Sequence, residues 1–242
     1  MKELSQHIVS LSLAICVSAG MGGIARADSI SVDLSDLVNS DLTGYSGGGN
    51  YPQHGGPITV GGIPFTLATI GPHSDTAIIQ STTGNVPQTY SLTVGVFGVA
   101  LTYTLINTAF GTCGTNVGEL DFIGSSSTYT YVLTEGSNVR DHFRGGYCNS
   151  LTDGSGTASF GGGADRLDMQ TIVLPPAFAT ETLESIDFKS FGKGGDGSPF
   201  LAAVTLDPGG PGPSAVPEPS AWPLGLLALA AVPLARRRWR QS

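Results

Sequence analysis

The 242-residue chain holds only 12% charged residues but 35 glycines and 15 prolines. That composition excludes a charge-rich helical protein and suits short strands joined by many turns. Residues 28–215 carry five Lys/Arg against 17 Asp/Glu, a net charge of -12, which excludes nucleic acid as a partner because phosphate binding needs clustered cations.

Residues 1–27 have the form of a secretory signal: Lys2, a short apolar stretch from Ile8 to Ala19, and an A-x-A cleavage site at Ala25-Arg26-Ala27. The apolar stretch is too short to span a bilayer of about 30 Å, so removal is expected, with the processed chain starting at Asp28. Cys16 lies inside this segment, and Ile15 stands where a lipoprotein site would want a small residue.

From residue 28 to 207 the pattern is period two. Tyr90, Leu92 and Val94 alternate with polar or small residues, as do Leu101, Tyr103 and Leu105; Tyr129, Tyr131 and Leu133; Leu120 with Phe122; and Ile186 with Phe188. Such alternation predicts strands with one buried face. Between the runs sit turn clusters such as Gly124-Ser125-Ser126-Ser127, Glu135-Gly136-Ser137-Asn138 and Gly194-Gly195-Asp196-Gly197. The expected fold class is all-β, a single antiparallel β-sandwich over 28–207.

Gly44-Tyr45-Ser46-Gly47-Gly48 matches G-x-S-x-G, but a nucleophile elbow needs a helix after the serine, and Gly49-Asn50-Tyr51-Pro52 reads as loop. His54, His73 and His142 lack the spacing of a zinc site, and nothing in the sequence orients Ser46, His54 and Asp75 as a triad. No enzyme activity and no cofactor are expected. Calcium is the secondary reading: Asp141, Asp153, Asp165 and Asp168 could supply oxygen ligands in a structural role, the last two inside a half-match to a glycine-rich calcium repeat.

Cys113 and Cys148 remain once the signal is removed, and an even count in an exported chain predicts a disulfide. Two free thiols or a metal pair is the alternative, without a CxxC spacing to support it. The bridge would tie the loop after Phe110 to the segment after Arg144 at one end of the sandwich. Beside it lies the densest group suited to a sugar, Arg140, Asp141, Phe143 and Tyr147, with His142 and Arg144 as polar neighbours and Tyr45 and Tyr51 as further aromatics. The competing reading is that Phe143 and Tyr147 cap the core.

Pro208-Gly209-Gly210-Pro211-Gly212-Pro213 cannot hold helix or central strand, so residues 208–216 read as a linker. Residues 217–242 then present Pro217-Glu218-Pro219, an apolar stretch from Trp222 to Ala235, and Arg236-Arg237-Arg238-Trp239-Arg240. Apolar then basic is the asymmetry of a tail inserted with its basic end in the cytoplasm. This order resembles the PEP-CTERM sorting signal. That resemblance implies export, transient insertion in the inner membrane, and recognition by an exosortase-type sorting enzyme in bacteria that make exopolysaccharide.

A second resemblance spans most of 28–207. Its motifs are Val32-Asp33-Leu34-Ser35, Gly61-Gly62-Ile63-Pro64-Phe65, Leu101 to Ala109, Leu133 to Asp141, Leu183 to Phe188 and Leu201 to Thr205. Their order is similar to that of the galactose-binding-like jelly-roll modules. The departure is Gly124-Ser125-Ser126-Ser127, where that family often has an Asp-Gly turn. The resemblance implies a jelly roll with carbohydrate binding as one use. The expected protein is a non-catalytic component of the cell surface or exopolysaccharide matrix. The alternatives are a structural or adhesive matrix protein without a small ligand and, last, an extracellular hydrolase resting on Ser46.

Overall fold

The computed structural model describes residues 28–44, 51–70, 75–82, 84–161 and 163–209. The signal segment, Tyr45, Ser46, His73 and the tail from 210 onward lie outside them. In chain order the strands are β1 Ile30–Ser31, β2 Ser40–Asp41, β3 Gly56–Val60, β4 Ile63–Ile70, β5 Asp75–Gln80, β6 Gln88–Phe97 and β7 Leu101–Ala109. They continue as β8 Asn116–Gly124, β9 Thr128–Thr134, β10 Gly156–Phe160, β11 Leu167–Val173, β12 Thr182–Ser190 and β13 Ser198–Asp207. The only helical elements among the described residues are short 3₁₀ turns at Pro176–Thr180 and Gly194–Asp196. Every strand pairing is antiparallel.

Two sheets face each other in an all-β sandwich. The larger runs β10-β11-β7-β13-β5-β4-β3, with β1 added to β13 and β2 to β5; the smaller runs β6-β12-β8-β9. In the smaller sheet the period-two pattern turns into one-sided burial. Leu92, Leu120, Phe122, Leu133, Ile186 and Phe188 point inward, while Thr89, Ser91, Thr93, Thr128 and Thr130 are exposed. Burying each large apolar side chain contributes about 1.5–3 kcal/mol, which sets the register of all four strands. On the outer face Lys189 of β12 pairs with Glu119 (3.0 Å) and with Asp121 of β8.

The larger sheet departs from expectation. Strands β5, β7 and β13 are buried on both faces. Ile79, Ile106 and Leu201 enter the core between the sheets, whereas Ile78, Leu105 and Phe200 enter a second core with Phe65, Leu67 and Met169. Leu101, Tyr103 and Leu105 do share one face, as alternation predicts. The opposite face is not solvated, however: Thr102 and Thr104 are buried there, and their hydroxyls have no hydrogen-bond partner among the described residues. Threonine reads as polar in a pattern, yet its methyl lets it fill a buried strand position.

The strand ends define two poles. β1 pairs Ile30 with Leu206, so the first and last strands meet at the base. The ends of β5, β7, β9 and β12 and the starts of β6, β8, β11 and β13 lie at the opposite pole, where the 81–87, 110–115 and 191–197 segments join strands and the 135–155 segment leaves β9 toward β10. Loops at this pole hold one another: Thr112 N–H donates to the Asp196 carbonyl at 2.9 Å, and the Ser198 hydroxyl to that of Thr82 at 3.4 Å.

Candidate functional site

The Arg140–Tyr147 segment lies at the loop pole, against the end of β7. His142 N–H donates to the Thr108 carbonyl (2.8 Å), Thr108 N–H to the Arg140 carbonyl (3.0 Å), and Cys148 N–H to the Gly111 carbonyl (3.0 Å). The Cys113–Cys148 disulfide closes the same contact, with Cα atoms 5.2 Å apart. The expected bridge is therefore present and joins the two loops the sequence paired. A loop of this length gains about 4 kcal/mol from the bridge on the chain-entropy account.

Beneath the segment is a buried polar network. Asp168 of β11 accepts a fork from Arg140 (Nε and Nη2, both 2.8 Å), a bond from Asn107 Nδ2 (2.6 Å), and an ion pair from Arg166 Nε at 3.3 Å. Arg166 Nη2 in turn donates to the Asp141 carbonyl at 2.8 Å. The Asp141 carboxylate accepts from the N–H of Phe143 (2.6 Å) and of Gly111 (3.4 Å), so it sits in a backbone nest rather than on the surface. His142 meets the Tyr51 hydroxyl through Nδ1 and lies 3.7 Å from Asp165. Buried charges are tolerated where each finds fixed partners, and loss of one partner would strand the other.

Burial sets the titration of this network. It lowers His142, favouring the neutral ring that Tyr51 contacts, and it raises Asp141. The Asp168 hydrogen bonds hold Arg140 above its ordinary value. The largest effect falls on Glu135, whose carboxyl burial pushes up to about 8 despite a hydrogen bond from the Thr108 hydroxyl at 2.7 Å. Gly111 makes room for it, since a Cβ there would lie 1.8 Å from Glu135 Oε1.

Of the four sequence candidates, two are on the surface, Arg140 is half-buried and Asp141 is buried. Phe143 and Tyr147 are 39% and 46% exposed, which disfavours the core-capping reading for both. Asp141 is buried, and the Arg140 guanidinium is engaged by Asp168, so their geometric role is to hold the segment in place. Phe110, not among the sequence candidates, joins the exposed set at 40% and packs edge-to-face on Tyr147 with ring centres 5.6 Å apart. It is also the one non-glycine residue with positive φ (63°) among the described residues. A bulky side chain held in that region costs about 1–3 kcal/mol and persists only where its surroundings impose it. An aromatic stranded between a strand end and Gly111 was the available sequence signal.

The calcium candidates are spread out. Asp141 and Asp168 serve the network, Asp165 faces His142, and Asp153 caps Ser155 on the surface. Among the described residues no group of three or more His, Cys, Asp or Glu is arranged to hold a metal ion. Likewise no helix among them is long and apolar enough to cross a membrane. No protein-family model matches the chain, and no curated protein matches it.

Proposed function

We propose that this is an exported, non-catalytic protein of the bacterial cell surface or exopolysaccharide matrix that binds carbohydrate weakly through the aromatic surface at its loop pole. The observation that carries the reading is the exposed Phe110–Tyr147 pair on a disulfide-tied, network-supported segment. Ring faces of this kind offer an apolar π surface to the C–H face of a pyranose, and loops fixed beforehand lose less entropy on binding. The galactose-binding-like jelly roll is part of this proposal, supported by the two facing antiparallel sheets and by non-sequential neighbours such as β7 between β11 and β13. Export, handling by an exosortase-type enzyme and transient inner-membrane insertion rest on the sequence of the signal and tail.

The test is affinity electrophoresis of the full chain in mild detergent, in gels containing exopolysaccharide from the producing bacterium. Retardation that falls roughly three- to tenfold in Tyr147→Ala, matching about 0.5–1.5 kcal/mol for one aromatic contact, would support the reading. Equal mobility with and without polysaccharide would instead leave a structural or adhesive matrix protein.

A further inference from the structure

The loop pole carries a second surface feature, separated from the end of β7 by β13 and β5, hence about 10 Å away at ordinary strand spacing. An open cleft of about 450 Å3 lies there between the end of β5 and the start of β6. Its walls include Asn39, Gln80, Ser81, Thr82, Gln88 and Tyr90, and no charged side chain lines it among the described residues.

The cleft is braced from within. Asn39 Nδ2 donates to the Gln80 carbonyl (3.0 Å) and to Tyr90 Oη (3.1 Å), while Asn39 Oδ1 accepts the Gln80 N–H at 2.9 Å. Tyr90 Oη donates to the Gln80 carbonyl at 3.1 Å, and its ring stacks on Phe188 with centres 6.1 Å apart. Gln88 Oε1 accepts the Thr82 N–H at 2.7 Å, which orients the Gln88 amide and leaves its Nε2 as a donor. Among the described residues no hydrogen bond engages the Gln80 side-chain amide. Ser81 is only 1% exposed, yet its hydroxyl has no hydrogen-bond partner among the described residues. A buried hydroxyl without a partner carries a desolvation cost that a ligand hydroxyl, or a water shared with one, would relieve.

We infer that this cleft is a binding subsite for a neutral polysaccharide. Fixed amide and hydroxyl groups, each able to donate or accept, match the mixed donor and acceptor character of sugar hydroxyls. Among the described residues the walls hold no lysine, arginine or carboxylate, so they give a phosphate, a uronate or a metal ion no charge to pair with. An acidic domain adds repulsion toward anionic chains. The inference rests on the glycan-binding reading of the protein and adds to it a second contact point and a charge class.

Two substitutions test it in the full chain, by affinity electrophoresis in gels containing dextran, mannan or galactan, with alginate as the anionic comparison. Gln80→Ala and Ser81→Ala should each raise the apparent Kd in the responsive neutral gel by roughly three- to tenfold, the effect of one lost hydrogen bond. Ser81→Ala should do so without lowering Tm, because its hydroxyl has no bond to any described residue to lose. Wild-type retardation retained by both variants, with loss in Tyr147→Ala, would remove the cleft and keep the glycan-binding reading. Retardation by alginate alone would overturn the neutral class. No retardation of the wild type in any of these gels or in the exopolysaccharide gel would overturn both.

Discussion

At Glu135, a carboxyl group raised by burial to about 8 stays protonated in the folded chain while the unfolded chain has already lost its proton above the ordinary value of 4.5. Folding therefore retains a proton across that window, and stability falls as pH rises through it, by up to about 1.4 kcal/mol per pH unit. His142 acts in the opposite sense, since burial depresses it and its contribution is lost as pH falls below its ordinary value of 6.5. Between pH 7 and 8 the His142 contribution is already complete and the Glu135 slope stands clear. Tm should drop across that interval in the wild type and stay level in Glu135→Gln, which keeps an oxygen for the Thr108 hydroxyl. A wild-type Tm that is flat from pH 7 to 8 would contradict the assignment.

At the scale of the element, the segment from Arg140 to Cys148 has its own supports, and they can be removed separately. Replacing Cys113 and Cys148 together by serine should lower unfolding stability by up to about 4 kcal/mol, measured by urea titration. Polysaccharide binding at 10 °C should weaken more than the change in folded fraction accounts for, because Tyr147 sits one residue from the lost bond. Much of this was legible in the sequence. The cysteine pair predicted the bridge, and the run from Arg140 to Tyr147 placed two exposed aromatics beside it. The rest was not legible, because it depends on partners distant along the chain. Arg140 closes on Asp168 across 28 residues, and Asn107 reaches the same carboxylate across 61. A local reading could only count Asp168 as a loop acid near glycines, whereas in the fold it is the second residue of β11 and pairs with two arginines. The same limit applies to β7, where alternation found the Leu101–Leu105 face but could not show that Thr102 and Thr104 are buried behind it.

At the scale of the whole molecule, the described chain enters and leaves at the base, with Ile30 beside Leu206 and Gly209 just beyond, while Tyr147 and the Gln80 cleft occupy the other pole. Under the proposed function, the acidic body would face the matrix while the sorting-type tail ties the chain to the envelope. Deleting residues 217–242 should release the protein into the medium of its own bacterium, read by immunoblot of envelope and culture fractions. Continued envelope retention of the truncated chain would sink the role given to the tail. Polysaccharide affinity of the released form should stay unchanged, because the tail leaves from the pole that carries no candidate contact.

The position of β13 gives this arrangement a mechanical consequence. Its ten residues span roughly 34 Å from the loop pole to the base, with β7 bonded along one edge and β5 and β1 sharing the other. A flowing medium that drags on a polysaccharide held at the loop pole, against a tether at the base, would pull along this strand rather than across it. The hydrogen bonds on both edges would then bear the load in parallel, as in a lap joint, instead of opening one after another like a zip. Under the proposed function, the weak sugar contacts would then yield before the fold gives way.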